Sequence, residues 1–176
     1  MTADCESVSP EPAVGGLPRH RLRVVLVQPD IPQNTGNIAR LCSVTGAQLH
    51  LVRPLGFFLS DARLRRSGMD YWQKLNPVIH DDLPAFEQQL AGGFHLFTSR
   101  GRTDLWNAEF TADDWLIFGS ESSGLPQDFV RRHAAGTVKI PMCSGERCLN
   151  VSTAAGIAVY TALRQIKYGG QKAATV

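Results

Sequence analysis

Residues 22–52 read LRVVLVQPDIPQNTGNIARLCSVTGAQLHLV and contain a complete strand–helix–strand unit. The apolar, β-branched run at 22–27 predicts a buried strand. Residues 35–46 predict an amphipathic helix, with Gly46 as its stop signal. The run at 48–52 predicts a second strand. Two strands joined by a helix are the building block of an α/β fold with a parallel sheet.

The rest of the chain continues this alternation. Four further strands are predicted, at 76–80, 94–98, 115–118 and 137–140. Helices are predicted at 82–90, 126–133 and 150–167, and a short helix in the arginine-rich segment 60–74. The sequence therefore predicts one α/β domain whose mostly parallel sheet is flanked by helices.

Composition limits the class of protein. The chain has 176 residues, of which 43% are hydrophobic and 19% charged, as in a globular domain. No apolar run approaches the roughly 18 residues of a membrane span, and the acidic, proline-rich N-terminus does not resemble a signal peptide. We expect a disordered leader at 1–20, a domain at 21–170 and a flexible tail at 171–176.

Cysteine usage favours a cytoplasmic protein, and the net charge is compatible with RNA binding without requiring it. The net charge is +2, and the acidic leader leaves the remaining domain mildly basic. The four cysteines form no CxxC pair and lack histidines at zinc-site spacing, so we expect reduced thiols and no metal.

Several standard site motifs are missing. No GxGxxG follows the first strand, and no GxxxxGK[ST] loop occurs anywhere in the chain. The segment 119–124 departs from the GxSxG pattern of hydrolases. Instead, four polar, glycine-bearing turns follow predicted strands, at 33–40, 98–101, 118–125 and 140–152. Open α/β sheets bind ligands at the carboxyl ends of their strands, which places the candidate site there.

These turns resemble the signature motifs of the SPOUT-class (α/β-knot) RNA 2′-O-ribose methyltransferases. Residues 31–42 (IPQNTGNIARLC) are similar to motif one, and residues 118–125 (FGSESSGL) to motif two. Motif three is matched by IPM at 140–142 together with RCLNVS at 147–152.

Residues 54–71 resemble a stretch typical of the small bacterial TrmL subgroup, which modifies the wobble nucleotide of certain leucine tRNAs. The likeness covers about residues 22–170. It implies a deep C-terminal trefoil knot, S-adenosylmethionine as cofactor, a homodimer, and the anticodon loop of tRNA as substrate. Motif three departs at Cys148, where the family usually has serine. Because that position mostly offers its backbone to the cofactor, a small residue is expected to serve there.

The resemblance also implies roles for individual residues. The cofactor-binding set is Phe97, Thr98, Gly101, Gly119, Glu121, Ile140, Cys148 and Leu149. The catalytic set is Asn34, Arg40, Glu121, Asn150 and Ser152. The RNA-binding set is Arg63, Arg65, Arg66, Tyr71 and Tyr160.

Structural interpretations compete with these roles. Phe97 and Ile140 are also candidates for plain core packing, and Glu121 for a solvated loop acid. Asn34 is also a candidate helix cap, as are Asn150 and Ser152 for the closing helix. The arginine-rich segment is equally typical of a solvated helix face, and Tyr160 of a core or dimer contact.

Arg40 is the residue that the family resemblance makes catalytic. A guanidinium does not give up its proton readily, which argues against Arg40 as a lone base. We expect it to hold the phosphate beside the target and to orient the hydroxyl, while that phosphate or a water takes the proton.

Two functional alternatives remain at this level. The first is a SPOUT enzyme that acts on another tRNA or rRNA site. The second is a non-catalytic RNA-binding module. The closing helix carries an alanine-rich face that is a candidate for packing between subunits.

Overall fold

A computed structural model of the chain describes residues 16–58 and 72–169. The predicted RNA-binding residues Arg63, Arg65, Arg66 and Tyr71 lie outside the described residues. So do residues 60–71 of the segment 60–74 in which a short helix is expected, the tail at 171–176, and residues 1–15 of the expected leader.

The described residues contain seven strands: β1 (Arg23–Val27), β2 (Gln48–Val52), β3 (Val78–His80), β4 (Phe94–Phe97), β5 (Thr103–Asp104), β6 (Trp115–Phe118) and β7 (Thr137–Lys139). They form one sheet in the order β3-β2-β1-β6-β4-β7-β5, and every pair of neighbours is parallel. The helices are α1 (Pro32–Thr45), α2 (Trp72–Leu75), α3 (Leu83–Glu87), α4 (Gln127–Arg132) and α5 (Val151–Tyr168). Short 3-10 turns occupy Leu105–Asn107 and Ala134–Gly136. The predicted α/β fold with a parallel sheet is confirmed, and the trefoil knot stays a prediction.

Helix α1 differs from its predicted bounds at one end. It begins at Pro32 rather than at residue 35, because proline at the first helical position fixes a helical φ and needs no hydrogen-bond partner for its nitrogen. It ends where predicted: Gly46 has a φ of +81°, and its N–H donates to Cys42 O at 2.8 Å.

The central strands are buried on both faces of the sheet. Residues 24–27 of β1 are at most 2% exposed, as expected for a strand covered by helices on both sides. One apolar cluster contains Ile38 and Leu116 and packs under α1 and α5; the second is centred on Phe86 and Phe129. Burial on both faces explains why β1 reads as a continuous apolar run rather than an alternating one.

The alanine face of α5 does not have the role we expected. Ala155, Ala158 and Ala162 are fully buried in the first cluster, so their small side chains let α5 approach the sheet and α1 within the same chain. The expectation that this face packs between subunits is wrong. The side of α5 that stays exposed carries Tyr160.

Residues 16–20 contact the domain, although composition assigned them to the leader. Leu17 packs against the core, and His20 Nε2 lies 2.8 Å from Thr45 O. Lys167 Nζ donates to Gly16 O at 2.6 Å. Among the helices in the described ranges, none is long and apolar enough to cross a bilayer.

A buried pair of histidines, His50 in β2 and His80 in β3, connects these two strands. His50 Nδ1 lies 2.9 Å from His80 Nε2, and the edge of Trp115 packs on His50. Burial, reinforced by His80, lowers the pKa of His50 to about 4, and burial also lowers the pKa of His80. Both rings are therefore neutral at neutral pH.

Candidate active site

The four polar segments meet at one edge of the sheet. Strands β1, β6, β4 and β7 are neighbours in that order and run parallel, so the segments that follow them share the carboxyl edge. The prediction of a turn at 33–40 is wrong, because the helix already begins at Pro32 and these residues are the first half of α1. The placement predicted from the sequence is confirmed.

Hydrogen bonds link all three motifs in one chain of side chains. Asn34 Nδ2 in motif one donates to Glu121 Oε1 in motif two at 2.8 Å. Asn150 Nδ2 in motif three donates to Asn34 Oδ1 at 3.0 Å. Asn150 Oδ1 in turn accepts from Ser152 Oγ at 2.6 Å and from Ser152 N at 2.9 Å. Four of the five residues in the predicted catalytic set therefore form one network.

This network decides between the competing interpretations of its members. Asn150 is the N-cap of α5, since its side chain accepts from Ser152 N and Thr153 N, so its cap interpretation is confirmed. Asn34 is not a cap, because it lies within the first turn of α1 and is 6% exposed. Its amide nitrogen and its amide oxygen are both hydrogen-bonded to residues of the other two motifs. Glu121 is not a solvated loop acid, because its second oxygen accepts from Asp30 N at 2.8 Å.

Arg40, the fifth member, lies on the exposed side of α1. It is six residues beyond Asn34, a rise of about 9 Å along the helix axis. The hydrogen bonds described above do not include Arg40.

Two predicted cofactor-site glycines are places where main chains cross. A β-carbon on Gly119 would lie 2.1 Å from Gly124 C, and one on Gly101 would lie 2.3 Å from Val138 C. Ser120 and Gly124 exchange backbone hydrogen bonds across the turn, and Gly124 has a φ of +69°. Only glycine permits main chains to approach this closely. Gly101 and Gly119 are therefore required for the conformation of their loops, independently of any contact with a cofactor.

Apolar side chains adjoin the main chain of the motif-three loop. Phe97 is buried and stacks on Phe118, with ring centroids 4.7 Å apart, so its side chain belongs to the core. Ile140 packs partly on the same core, whereas Leu149 is 36% exposed and Cys148 is exposed.

Within residues 141–149 the structure has one internal backbone hydrogen bond, from Glu146 N to Cys143 O at 3.4 Å. This main chain is largely exposed and has few bonds to the described residues, and backbone donors and acceptors beside apolar side chains fit the base and sugar of an adenosine. Thr98, another residue of the predicted cofactor-binding set, donates its N–H to Val138 O at 2.9 Å.

Tyr160 does not lie in this network. It is 53% exposed on α5 and lines a cavity of about 480 Å³ with Trp106, Ile157 and Arg164. No cluster of three or more potential metal ligands occurs within residues 16–58 and 72–169.

Sequence reasoning missed two residues of the site. Asp30 donates its backbone N–H to Glu121, and its carboxylate Oδ2 accepts from Ser122 Oγ at 2.5 Å. Asp30 borders motif one and Ser122 lies within motif two, yet no spacing or residue pattern indicates that they pair across 92 positions.

Comparison with known proteins places the chain in a family. The model of the SpoU rRNA methylase family matches residues 21–160. The chain belongs to the SpoU rRNA methylase family. A SpoU relative from Burkholderia ambifaria named "tRNA (cytidine(34)-2′-O)-methyltransferase" is 43% identical over 151 residues, which are 84% of this chain and 97% of that protein.

Solved SpoU structures agree with the fold. One, described as giving "structural insights into the 2-OH methylation of C/U34 on tRNA", superposes with a TM-score of 0.80 at 43% identity, covering 87% of this chain and 99% of the other. The SpoU methyltransferase AviRb from Streptomyces viridochromogenes, solved in complex with AdoMet, gives a TM-score of 0.71 at 26% identity. The match covers 89% of this chain and 62% of AviRb.

Proposed function

We propose that this SpoU protein transfers a methyl group from S-adenosylmethionine to the ribose 2′-hydroxyl of the wobble nucleotide, cytidine or uridine 34, of tRNA. We further propose leucine tRNAs as the substrates and the cytoplasm as the place of action. The observation that carries the proposal is the Glu121–Asn34–Asn150 network, which joins the three motifs at the carboxyl edge. The name of the Burkholderia ambifaria relative supports the same reaction.

The loops after β4, β6 and β7 are the proposed cofactor site. Its members are those predicted from the sequence: Phe97, Thr98, Gly101, Gly119, Glu121, Ile140, Cys148 and Leu149. S-adenosylmethionine supplies a methyl group on a positively charged sulfur, ready for transfer to a nucleophile. The exposed main chain of residues 141–149 provides partners for the adenosine, and Leu149 provides apolar contact. The Glu121 carboxylate contributes negative charge that favours a sulfonium nearby.

Arg40 is proposed to bind the phosphate next to the acceptor ribose. A guanidinium forms two parallel hydrogen bonds to a phosphate, which fixes the ribose and aims its 2′-oxygen at the methyl group. The proton of the hydroxyl then passes to that phosphate or to a water. Replacing Arg40 by Ala is expected to lower kcat/KM about 100-fold while the cofactor Kd stays within about twofold. Loss of cofactor binding in this variant would contradict the proposal and make Arg40 a structural residue.

The arginine-rich segment is proposed to bind the anticodon arm of the tRNA. Arg63, Arg65 and Arg66 supply positive charge, and Tyr71 supplies a ring on which a loop base stacks. Replacing Arg65 and Arg66 together by Ala is expected to weaken tRNA binding and to flatten its dependence on salt. An unchanged affinity across a salt series would exclude this segment from the RNA site.

A homodimer is proposed as the working unit. Trp106 is 68% exposed and, with Tyr160 and Ile157, forms an apolar surface on the outer side of α5. Rings of this size left in water favour burial against a partner, and we propose a second copy of the chain. Because Tyr160 belongs to this surface, in the proposed dimer it would contact RNA only at the edge of the interface between the two subunits. Sedimentation of a Trp106→Glu variant as a monomer would support this surface, and an unchanged dimer mass would exclude it.

A pair of RNAs tests the reaction directly. The protein is incubated with labelled S-adenosylmethionine and an anticodon stem–loop of a leucine tRNA, or with the same RNA carrying a single 2′-deoxyribose at position 34. We expect label in the first RNA and none in the second. Equal labelling of both would place the methyl group elsewhere. If cofactor binds and neither RNA is labelled while bulk rRNA is, the substrate assignment is wrong. A lack of cofactor binding would leave a non-catalytic RNA-binding module.

A further inference from the structure

Asp30 and Ser122 connect the loop after β1 to the loop after β6. Ser122 Oγ donates to Asp30 Oδ2 at 2.5 Å, and Ser122 N donates to the same oxygen at 3.2 Å. In return, Asp30 N donates to Glu121 Oε2 at 2.8 Å. Asp30 is thus bonded to two consecutive residues of motif two, through its side chain and its backbone. We call the side-chain part, Asp30 with Ser122, the latch.

The backbone of Asp30 is held from its other side as well. Gly56 N donates to Pro29 O at 2.9 Å, and a β-carbon on Gly56 would lie 2.8 Å from Asp30 Cα. The chain enters this loop through Gln28, whose φ of +53° is rare for a residue with a side chain. The loop after β1 is therefore a fixed support against which motif two is fastened.

The latch controls where Glu121 can place its carboxylate. One oxygen of Glu121 must meet Asp30 N and the other Asn34 Nδ2, both at 2.8 Å. Since Ser122 is the next residue in the chain, its bonds to Asp30 fix the backbone from which Glu121 projects. Asn34 then holds Asn150 at 3.0 Å, so the position of Glu121 is passed on to motif three.

The latch is not part of the hydrophobic core. Ser122 is exposed and Asp30 is half-buried, and neither belongs to an apolar cluster. Removing the Ser122 hydroxyl therefore creates no cavity. A loss of function in such a variant reports on the position of the loop rather than on packing.

We propose that Asp30 and Ser122 are positioning residues for methyl transfer, which hold Glu121 in place between motif one and motif three. This inference rests on the proposed function of the same site. Neither residue touches the reacting atoms in this scheme. Their effect is transmitted through the Glu121–Asn34–Asn150 network.

The test compares four variants with the wild type at saturating cofactor and RNA. Ser122→Ala and Asp30→Ala are each expected to lower kcat about tenfold, with the thermal midpoint essentially unchanged. The double variant is expected to be no slower than the slower single variant, because both changes open one contact. Ser122→Thr keeps the hydroxyl and is expected to retain kcat within about twofold. Additive losses, or losses that follow the thermal midpoint, would overturn the proposal.

Asp81→Asn is the matched control. Asp81 is an exposed carboxylate that follows β3 at the same edge of the sheet and pairs with Arg53 at 3.3 Å. Its replacement removes the same charge without touching the latch, and kcat is expected to stay at the wild-type value. A tenfold loss in this control would mean that net charge at the edge, and not the latch, explains the Asp30 effect.

A second measurement does not depend on activity. The side-chain amide protons of Asn34 and Asn150 give separate NMR signals that report directly on the network. We expect both signals to shift in Ser122→Ala and Asp30→Ala, and neither to shift in Asp81→Asn. Unmoved amide signals would overturn the latch even in an active enzyme. If the wild type methylates no RNA, the proposed function fails, and the amide shifts still decide whether the latch positions Glu121.

Discussion

Replacing Asn34 by Asp tests the contact between motif one and motif two, because it exchanges one side-chain NH2 group for an oxygen. Asn34 is 6% exposed, and its Nδ2 lies 2.8 Å from Glu121 Oε1. The substitution puts an acceptor where the donor was. Two carboxylates in contact, with their charge centres about 4 Å apart, repel by about 4 kcal/mol at an effective dielectric constant of about 20. Keeping a proton on one of them at pH 7 costs a comparable amount, so the pair shares a proton and its apparent pKa rises.

The sign of the pH effect follows from linkage. A carboxyl group whose pKa is higher in the folded than in the unfolded protein loses stability as the pH rises above the unfolded value of about 4. The protonated side chain can still donate to Glu121, whereas Asn34→Ala loses that bond at every pH. Loss of the bonds to Glu121 and Asn150 makes Asn34→Ala less stable than the wild type by about 2–4 kcal/mol. Relative to it, Asn34→Asp is expected to be more stable near pH 5 and to lose up to about 1.4 kcal/mol per pH unit above that.

Urea unfolding at pH 5, 6, 7 and 8, at one protein concentration, measures this difference. The double variant Asn34→Asp/Glu121→Gln provides the internal control, because it exchanges donor and acceptor across the same 2.8 Å contact. It is expected to recover most of the stability lost at pH 8. Parallel curves for Asn34→Asp and Asn34→Ala, together with no recovery in the double variant, would refute the reasoning.

Three further outcomes follow from packing and burial. Gly119→Ala forces a β-carbon to within 2.1 Å of the main chain, so it is expected to lower the free energy of unfolding by more than about 2 kcal/mol and to abolish cofactor binding. Gly156→Ala places its β-carbon where nothing lies within 4 Å and is expected to stabilise α5 by about 0.5–1 kcal/mol. Thermal unfolding and calorimetry with cofactor distinguish the two variants. The pKa of His50 is lowered to about 4, so as the pH falls the unfolded state takes up a proton before the folded state does. The free energy of unfolding is therefore expected to fall by about 2–3 kcal/mol as the pH drops from about 6.5 to 4. His50→Gln is expected to flatten this part of the pH dependence, measured by urea unfolding. Burial raises the pKa of Cys42 to about 12, so iodoacetamide at pH 8 is expected to alkylate the exposed Cys148 and to leave Cys42 unmodified in mass spectra of the native protein.

Local sequence patterns were sufficient for the elements that position the site. The strands at 48–52 and 115–118 have the predicted bounds, because continuous apolar runs of that length suit a sheet buried on both faces. Gly46 ends α1 as predicted, since its left-handed φ has a purely local cause. Strand β5 was missed because its two residues, Thr103 and Asp104, carry no apolar pattern and pair only through the main chain with β7.

The site itself depends on contacts that local patterns do not encode. The turns were predicted at one edge of the sheet from the parallel topology, but the bond between Asn34 and Glu121 joins residues 87 positions apart. Family resemblance grouped Asn34, Glu121 and Asn150 without specifying which atoms meet. The latch escaped both kinds of reasoning, because Asp30 and Ser122 are ordinary loop residues whose pairing arises only when β1 and β6 lie side by side.

The most direct test of the central claim is to map the methyl group on natural RNA. Total tRNA from a bacterium that lacks wobble ribose methylation is incubated with the protein and labelled S-adenosylmethionine, and the labelled nucleotide is identified by nuclease digestion and mass spectrometry. We expect a 2′-O-methyl group on nucleotide 34 of leucine tRNAs in the wild-type reaction and its loss with Arg40→Ala. Label on a base, or on a ribose outside position 34, would contradict it.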